Sequence, residues 1–102
     1  MKKILCTLVM VAVPAVAFAA VPQYDVEKFC EGLAKGKAAI YNACISMEQK
    51  SYDDLKKRWA KIPDKTKEFC GNIAKGMNSY QSFIECEKLE KKAAKNKKSF
   101  KR

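Results

Sequence analysis

An eight-residue segment that occurs twice, forty positions apart, constrains this chain more than any other feature of its sequence. Residues 29–36 read Phe-Cys-Glu-Gly-Leu-Ala-Lys-Gly, and residues 69–76 read Phe-Cys-Gly-Asn-Ile-Ala-Lys-Gly. A second cysteine follows each segment, and both Cys44 and Cys86 precede an apolar residue by three positions and a glutamate by four. The chain is therefore a duplicated unit with two cysteines in each copy.

Apolar residues in the first copy recur at the spacing of an α-helix. The apolar positions are Val26, Phe29, Cys30, Leu33 and Ala34. This pattern predicts a helix from about Val26 to Lys35, with Asp25 as its N-cap and Gly36 just beyond its last turn.

The second copy repeats this pattern, and longer helical segments follow each copy. Pro63 and Asp64 suit a first helical turn, and Gly76 is predicted to end that helix. A longer helix is predicted over about 41–62, with a break at Ser51 where a capping box is suggested, and a last helix begins near Ser79. We therefore predict an all-α fold: a small disulfide-stapled bundle of about four helices that form two αα-hairpin repeats.

The N-terminus has the layout of a secretory signal peptide. Lys2 and Lys3 precede an apolar run over 4–13, and Ala17-Phe18-Ala19 supplies a cleavage site. An uncleaved membrane anchor is the alternative, but it needs roughly 20 apolar residues. We predict removal of residues 1–19, and with them Cys6, so the chain is expected to be exported and to be periplasmic or secreted.

The predicted mature chain divides into a duplicated helical domain, residues 20–90, and a basic tail, residues 91–102. The repeats are expected at about 25–62 and 63–90. At this length apolar burial alone gives marginal stability, and chains commonly need covalent or metal cross-links. Zinc is not expected because the chain lacks histidine and the Cys-x-x-Cys spacing, so two disulfides are predicted.

The four remaining cysteines, Cys30, Cys44, Cys70 and Cys86, permit three pairings. Cys70 and Cys86 are predicted to lie roughly 9 and 10 Å from their shared turn, at 1.5 Å per residue, and are therefore level on adjacent helices. Pairs within each copy, Cys30 with Cys44 and Cys70 with Cys86, are favoured, since a duplicated unit had to be stable alone. Pairing of Cys30 with Cys86 and of Cys44 with Cys70 would instead give one long hairpin.

The repeated Phe-Cys-x-x-apolar-Ala start, the Ser79-Tyr80-Gln81 turn and the Cys-x-x-x-Glu ending resemble small exported proteins of Gram-negative bacteria that carry the same unit twice. The similarity covers most of residues 24–92. No established activity follows from this resemblance.

Positive charge is concentrated at the C-terminus. The chain carries a net charge of +10, yet residues 20–90 hold only about +1 of it. Seven basic residues and no acidic residue lie in the tail: Lys91, Lys92, Lys95, Lys97, Lys98, Lys101 and Arg102. A solvated, solubilising end is one interpretation. The functional interpretation is an arm for anionic lipid or an envelope polymer, with Phe100 as an interfacial anchor.

Catalysis finds little support in the residue types present. Without histidine there is no Ser-His or Cys-His pair, and no metal or cofactor is implied. Glu48 and Glu90 match between copies, but a bond to a neighbouring turn explains such a glutamate better than acid/base chemistry. No specific nucleic-acid motif occurs. We expect a non-enzymatic helical binding protein whose tail meets an anionic partner; the alternative is a secreted effector, inhibitor or toxin-like polypeptide that acts on another protein or on a membrane.

Overall fold

A computed structural model describes residues 20–102, and the signal-peptide prediction, including Cys6, lies outside the described residues. The described chain forms four α-helices: α1 Val26–Ala34, α2 Ala38–Arg58, α3 Asp64–Met77 and α4 Tyr80–Lys95, with a 3-10 turn at Trp59–Lys61 after α2. Helices α1 and α2 form one hairpin, and α3 and α4 form the second. The predicted all-α bundle of two hairpins is confirmed.

Each hairpin contains its own disulfide. Cys30 is bonded to Cys44 and Cys70 to Cys86, with Cα–Cα distances of 5.6 and 5.5 Å. The pairing within each copy is therefore confirmed, and the single long hairpin is not formed. Two disulfides are typical of a protein in an oxidising compartment.

Polar side chains cap the N-termini of α1 and α4. Asp25 accepts a hydrogen bond from the Lys28 amide at 3.1 Å, as predicted for the N-cap of α1. Ser79 caps α4 in the same way, because its hydroxyl accepts from the Ser82 amide at 3.2 Å. These bonds satisfy amide groups that have no partner within their own helix.

The turn between α3 and α4 differs from the sequence prediction. Helix α3 continues through Gly76 to Met77, and Asn78 takes the left-handed conformation with φ 56°. The Asn78 amide donates to the carbonyls of Ala74 and Lys75. Asparagine tolerates this conformation better than most residues, so it ends the helix two positions later than the expected glycine.

The predicted break at Ser51 is also wrong, because α2 is continuous from Ala38 to Arg58. Ser51 is buried, and its hydroxyl donates to Gln81 Oε1 on α4 at 2.8 Å. Asp54, the proposed capping partner, instead accepts a bond from Arg58 at 3.0 Å. Ser51 therefore makes a tertiary contact and Asp54 an i,i+4 contact within α2, so neither residue caps a helix.

The core lies between the end of α2 and the second hairpin. Its buried members are Leu55, Trp59, Ile62, Cys70, Ala74, Tyr80, Phe83 and Cys86. Phe83 is fully buried, and its ring centroid lies 5.4 Å from that of Trp59. Of these core residues only Leu55, on α2, belongs to the first hairpin, whose Cys30, Ala34 and Cys44 are also buried but lie outside this cluster.

The segment that precedes α1 lies across the second hairpin. The Tyr80 hydroxyl donates to the Pro22 carbonyl at 2.7 Å and accepts from the Tyr24 amide at 3.0 Å. The rings of Tyr24 and Tyr80 lie 4.6 Å apart, and the Asp25 amide donates to Asn78 Oδ1. We call residues 21–25 the N-terminal strap.

Candidate functional site

The matched glutamates have unlike surroundings. Glu48 is 3% exposed and accepts two hydrogen bonds at 2.6 Å, from the Ser79 hydroxyl and the Tyr80 amide. Its carboxylate therefore lies at the N-terminus of α4, where negative charge is stabilised by the helix dipole. Glu90 is exposed. The expectation that Glu48 bonds a neighbouring turn agrees with this geometry, which joins the two hairpins.

A second carboxylate fixes α2 against α4. Arg58 donates to both oxygens of Glu87, at 2.6 and 2.9 Å, and also to Asp54 at 3.0 Å. Glu87 is buried, so this bidentate pair compensates its charge. The hydrogen bond to Glu87 raises the pKa of Arg58, and the bond from Arg58 lowers the pKa of Asp54. The pair of Arg58 and the buried Glu87 therefore has a structural role, since it joins α2 to α4.

The basic tail begins on the last turns of α4 and continues past the helix. All seven basic residues are exposed, and they are Lys91, Lys92, Lys95, Lys97, Lys98, Lys101 and Arg102. The contacts of the first and last are weak: Lys91 Nζ lies 3.8 Å from Glu87, and the Arg102 guanidinium lies 5.0 Å from the Phe100 ring centroid. The positive groups are therefore available to solvent and to a partner.

An exposed apolar groove lies on the outer side of the second hairpin. Phe69, Ile73 and Met77 follow one another at four-residue spacing on α3, and Leu89 of α4 is 65% exposed. The groove encloses about 440 Å³, and its charged lining residues are Glu85 and Glu90. The first hairpin carries exposed Leu33 and Met47 at the positions that match Ile73 and Leu89, so the exposed apolar positions are part of the repeat.

A second cleft lies where α2 meets the start of α3. Its charged lining residues are lysines, whereas those of the apolar groove are glutamates. It encloses about 570 Å³ and is lined by Ala20, Val21, Gln23, Tyr52, Lys56, Trp59, Ala60 and Lys67. Sequence reasoning did not identify this cleft. A signal was present, because Lys67 precedes Cys70 by three and Ala74 by seven positions and so lies on the buried face of α3.

Across residues 20–102, no cluster of three or more cysteine, aspartate or glutamate side chains has a geometry that could hold a metal ion. No helix in this same range is long and apolar enough to cross a membrane.

Comparison with known proteins gives no match: no family model fits the chain, and no curated protein or solved structure is similar to it.

Proposed function

We propose that the protein is a non-enzymatic exported binding protein, periplasmic or secreted, whose disulfide-stapled body presents a basic tail to an anionic partner. One observation carries the proposal. Seven exposed positive charges lie within residues 91–102, where no acidic residue occurs, while residues 20–90 are almost neutral. The partner is a surface or polymer with closely spaced anionic groups, as in acidic lipid head groups or a polyanionic envelope polymer.

The position of the tail supports this role. It begins on the last turns of α4 and continues past the helix, away from the core residues at the start of α4, so contact with a large surface need not disturb the fold. Each lysine or arginine near an anionic membrane contributes about 1 kcal/mol, and salt screens the attraction over roughly 10 Å at 0.1 M ionic strength. Phe100, which is exposed, adds an aromatic side chain suited to the interface.

The test compares two variants that lose the same charge. In the tail variant Lys97, Lys98, Lys101 and Arg102 become glutamine. In the matched body variant the exposed Lys28, Lys50, Lys61 and Lys75 become glutamine. Cosedimentation with phosphatidylcholine vesicles, with and without phosphatidylglycerol, is measured at low and high salt, and binding to soluble polyphosphate is measured in parallel.

We expect the tail variant to lose most of its binding to anionic vesicles at low salt and the body variant to keep it. Binding of polyphosphate without binding of vesicles would identify a polymer as the partner, whereas binding of vesicles alone would identify lipid. The proposal is wrong if the unaltered protein ignores both anionic probes at low salt, or if the two variants lose binding equally.

Export is tested separately. Intact mass measured on protein from the periplasm and from the medium should show a chain that begins at Ala20. Thiol labelling of that denatured, unreduced chain should detect no free cysteine. A retained N-terminus, or a stoichiometric thiol signal, would contradict export with cleavage after Ala19. Retention in the periplasm favours the envelope-binding function, and release into the medium favours the alternative below.

A second candidate function is a secreted effector or inhibitor that acts on another protein. The observation in its favour is the apolar groove of Phe69, Ile73, Met77 and Leu89, whose charged rim is acidic. Charge complementarity indicates a partner helix with an apolar stripe flanked by basic residues. A synthetic amphipathic peptide with leucines on one face and lysines at its edges should bind more tightly than its scrambled form. Ile73→Ser should weaken that binding, and equal binding of both peptides would exclude this use of the groove.

A further inference from the structure

We infer that the cleft formed by Lys56, Lys67, Tyr52 and Trp59 is a binding site for a small organic anion that carries a carboxylate or phosphate group on an aromatic or apolar body. This site is distinct from the tail, because it lies where α2 meets α3. Its ligand contacts differ too, since the cleft offers a concave surface with aromatic lining residues as well as charge.

Lys67 lies buried at the cleft. Its side chain is only 7% exposed, and a buried ammonium group is costly unless acceptors surround it. The nearest carboxylate oxygen, Asp64 Oδ1, lies 3.9 Å from Nζ, too far for a direct hydrogen bond. The Trp59 ring, with its centroid 4.9 Å away, supplies a cation–π contact. Since an ammonium group has three donors, Lys67 retains capacity to bind an anionic oxygen.

A second cation lies in the same cleft. Lys56 is placed one α2 turn after Tyr52, and its Nζ lies 5.6 Å from the Tyr52 ring centroid. Neither lysine shares the cleft with an acidic lining residue. Field lines from two positive groups are concentrated in a concave site with apolar walls, which raises the local concentration of anions. An anion of either chemistry gains charge-assisted hydrogen bonds there.

The walls specify the rest of the ligand. Half-buried Tyr52 presents aromatic surface beside the largely buried Trp59, and Val21 and Ala60 add aliphatic surface. Sites for small molecules usually combine such a lining with a few polar groups that orient the ligand. Ala20 forms another edge. In the proposed mature chain its α-ammonium group would add a third positive charge, although the two lysines support the inference without it.

The experiment uses the purified protein, with its N-terminus established by intact mass. Three probes are titrated: phenylacetate, phenyl phosphate and the neutral analogue phenylethanol. Trp59 is the single tryptophan of the chain, so its fluorescence and its indole NMR signal report on the cleft rather than the tail. We expect both anionic probes to perturb these signals with saturation and phenylethanol to act at least about tenfold more weakly.

Variants separate the cleft from general positive charge. Lys56→Met and Lys67→Met should each weaken anion binding several-fold, whereas Lys57→Met, an exposed neighbour on α2 that does not line the cleft, should leave it unchanged. If Lys67→Met disturbs folding, Lys56→Met still provides the test. The inference is overturned if no anion perturbs Trp59, if phenylethanol binds as well as the anions, or if Lys57→Met weakens binding as much as Lys56→Met. Loss of vesicle binding in the tail variant is independent of each of these results.

Discussion

Each hairpin has one disulfide at matching positions, but the two hairpins bury different amounts of side-chain surface. Three residues before its second cysteine, the first hairpin has Tyr41, which is half-buried, and the second has Phe83, which is fully buried. The residue that caps the returning helix is Lys37 in the first hairpin, without a side-chain bond, and Ser79 in the second. The second hairpin is thus the centre of the core, and the first is attached beside it.

This difference shows what duplication preserves and what it leaves open. The cysteines occupy matching positions because a disulfide needs only two close Cα atoms with suitable side-chain directions. A core needs many complementary side chains, and it forms once, where the end of α2 meets α3 and α4. Ile45 and Glu87 also match in position, yet only Glu87 has the Arg58 partner that ties α2 to α4.

The sharpest way to test this asymmetry is truncation at Phe83 and Tyr41. Phe83→Ala should lower the free energy of unfolding by about 3–5 kcal/mol, because it leaves a cavity beside Trp59. Tyr41→Ala should cost about 1 kcal/mol, since its side chain is partly solvated. Urea unfolding followed by circular dichroism measures both. If Phe83→Ala prevents folding, Phe83→Leu gives a milder change of the same sign; equal losses at the two sites would contradict the asymmetry.

The two disulfides should stabilise different parts of the chain. Each closes a short loop, with sequence separations of 14 and 16, so the chain-entropy model assigns about 3 kcal/mol to both. Replacing Cys70 and Cys86 by alanine should reduce global stability. Replacing Cys30 and Cys44 should chiefly release α1, because few other buried residues hold that helix.

Amide hydrogen exchange distinguishes these two outcomes. Without Cys30–Cys44, exchange should accelerate in Val26–Ala34 while α4 stays protected. Without Cys70–Cys86, protection should fall throughout the chain. Uniform loss of protection in both double variants would mean that the hairpins form one cooperative unit.

A smaller effect is expected at the bridge between the hairpins. Glu48→Gln should lower stability by about 1–3 kcal/mol, since an uncharged amide replaces the carboxylate that accepts from Ser79 and Tyr80. Glu90→Gln, the matching change in the second copy, should stay within about 0.5 kcal/mol because Glu90 is exposed. Thermal unfolding of the two variants makes the comparison, and equal shifts of their unfolding temperatures would contradict a structural role for Glu48.

The weakest expected effect concerns alkaline pH. Burial, followed by the influence of Tyr80, raises the pKa of Tyr24 to about 12 from its ordinary value near 10. Between these values the unfolded chain binds fewer protons than the folded protein. The stability that neutral Tyr24 provides is therefore complete below about pH 10 and is lost as the pH rises towards 12. Tyr24→Phe should flatten this decline in alkaline unfolding experiments; an unchanged slope would show that the strap does not determine it.

Helical periodicity and the repeat predicted most of the fold. They indicated the Asp25 cap, the start of the last helix near Ser79 and both disulfides, because these features depend on residues close in sequence. Periodicity could not predict that Ser51 bonds Gln81, thirty positions away, or that Asn78 rather than Gly76 ends α3. Both outcomes depend on how the helices meet.

The two candidate sites, the tail and the cleft, also differ in how far the sequence alone predicts them. The tail can be predicted from the composition of residues 91–102, because its charges act without a precise arrangement. The cleft depends on the approach of Lys67 to Trp59 and of Lys56 to Tyr52, and on the strap residues that form its edge. Spacing placed Lys67 on the buried face of its helix, but only the fold shows what surrounds it.

The strap also orders events during synthesis. The ribosome releases Pro22 early, but the Tyr80 hydroxyl that binds its carbonyl follows 58 residues later. Both cysteines of the first disulfide lie within that interval, whereas Leu55 and Trp59 stay uncovered until α4 is present with Phe83. A prematurely terminated chain therefore exposes its largest apolar side chains, and proteases can distinguish it from the finished protein.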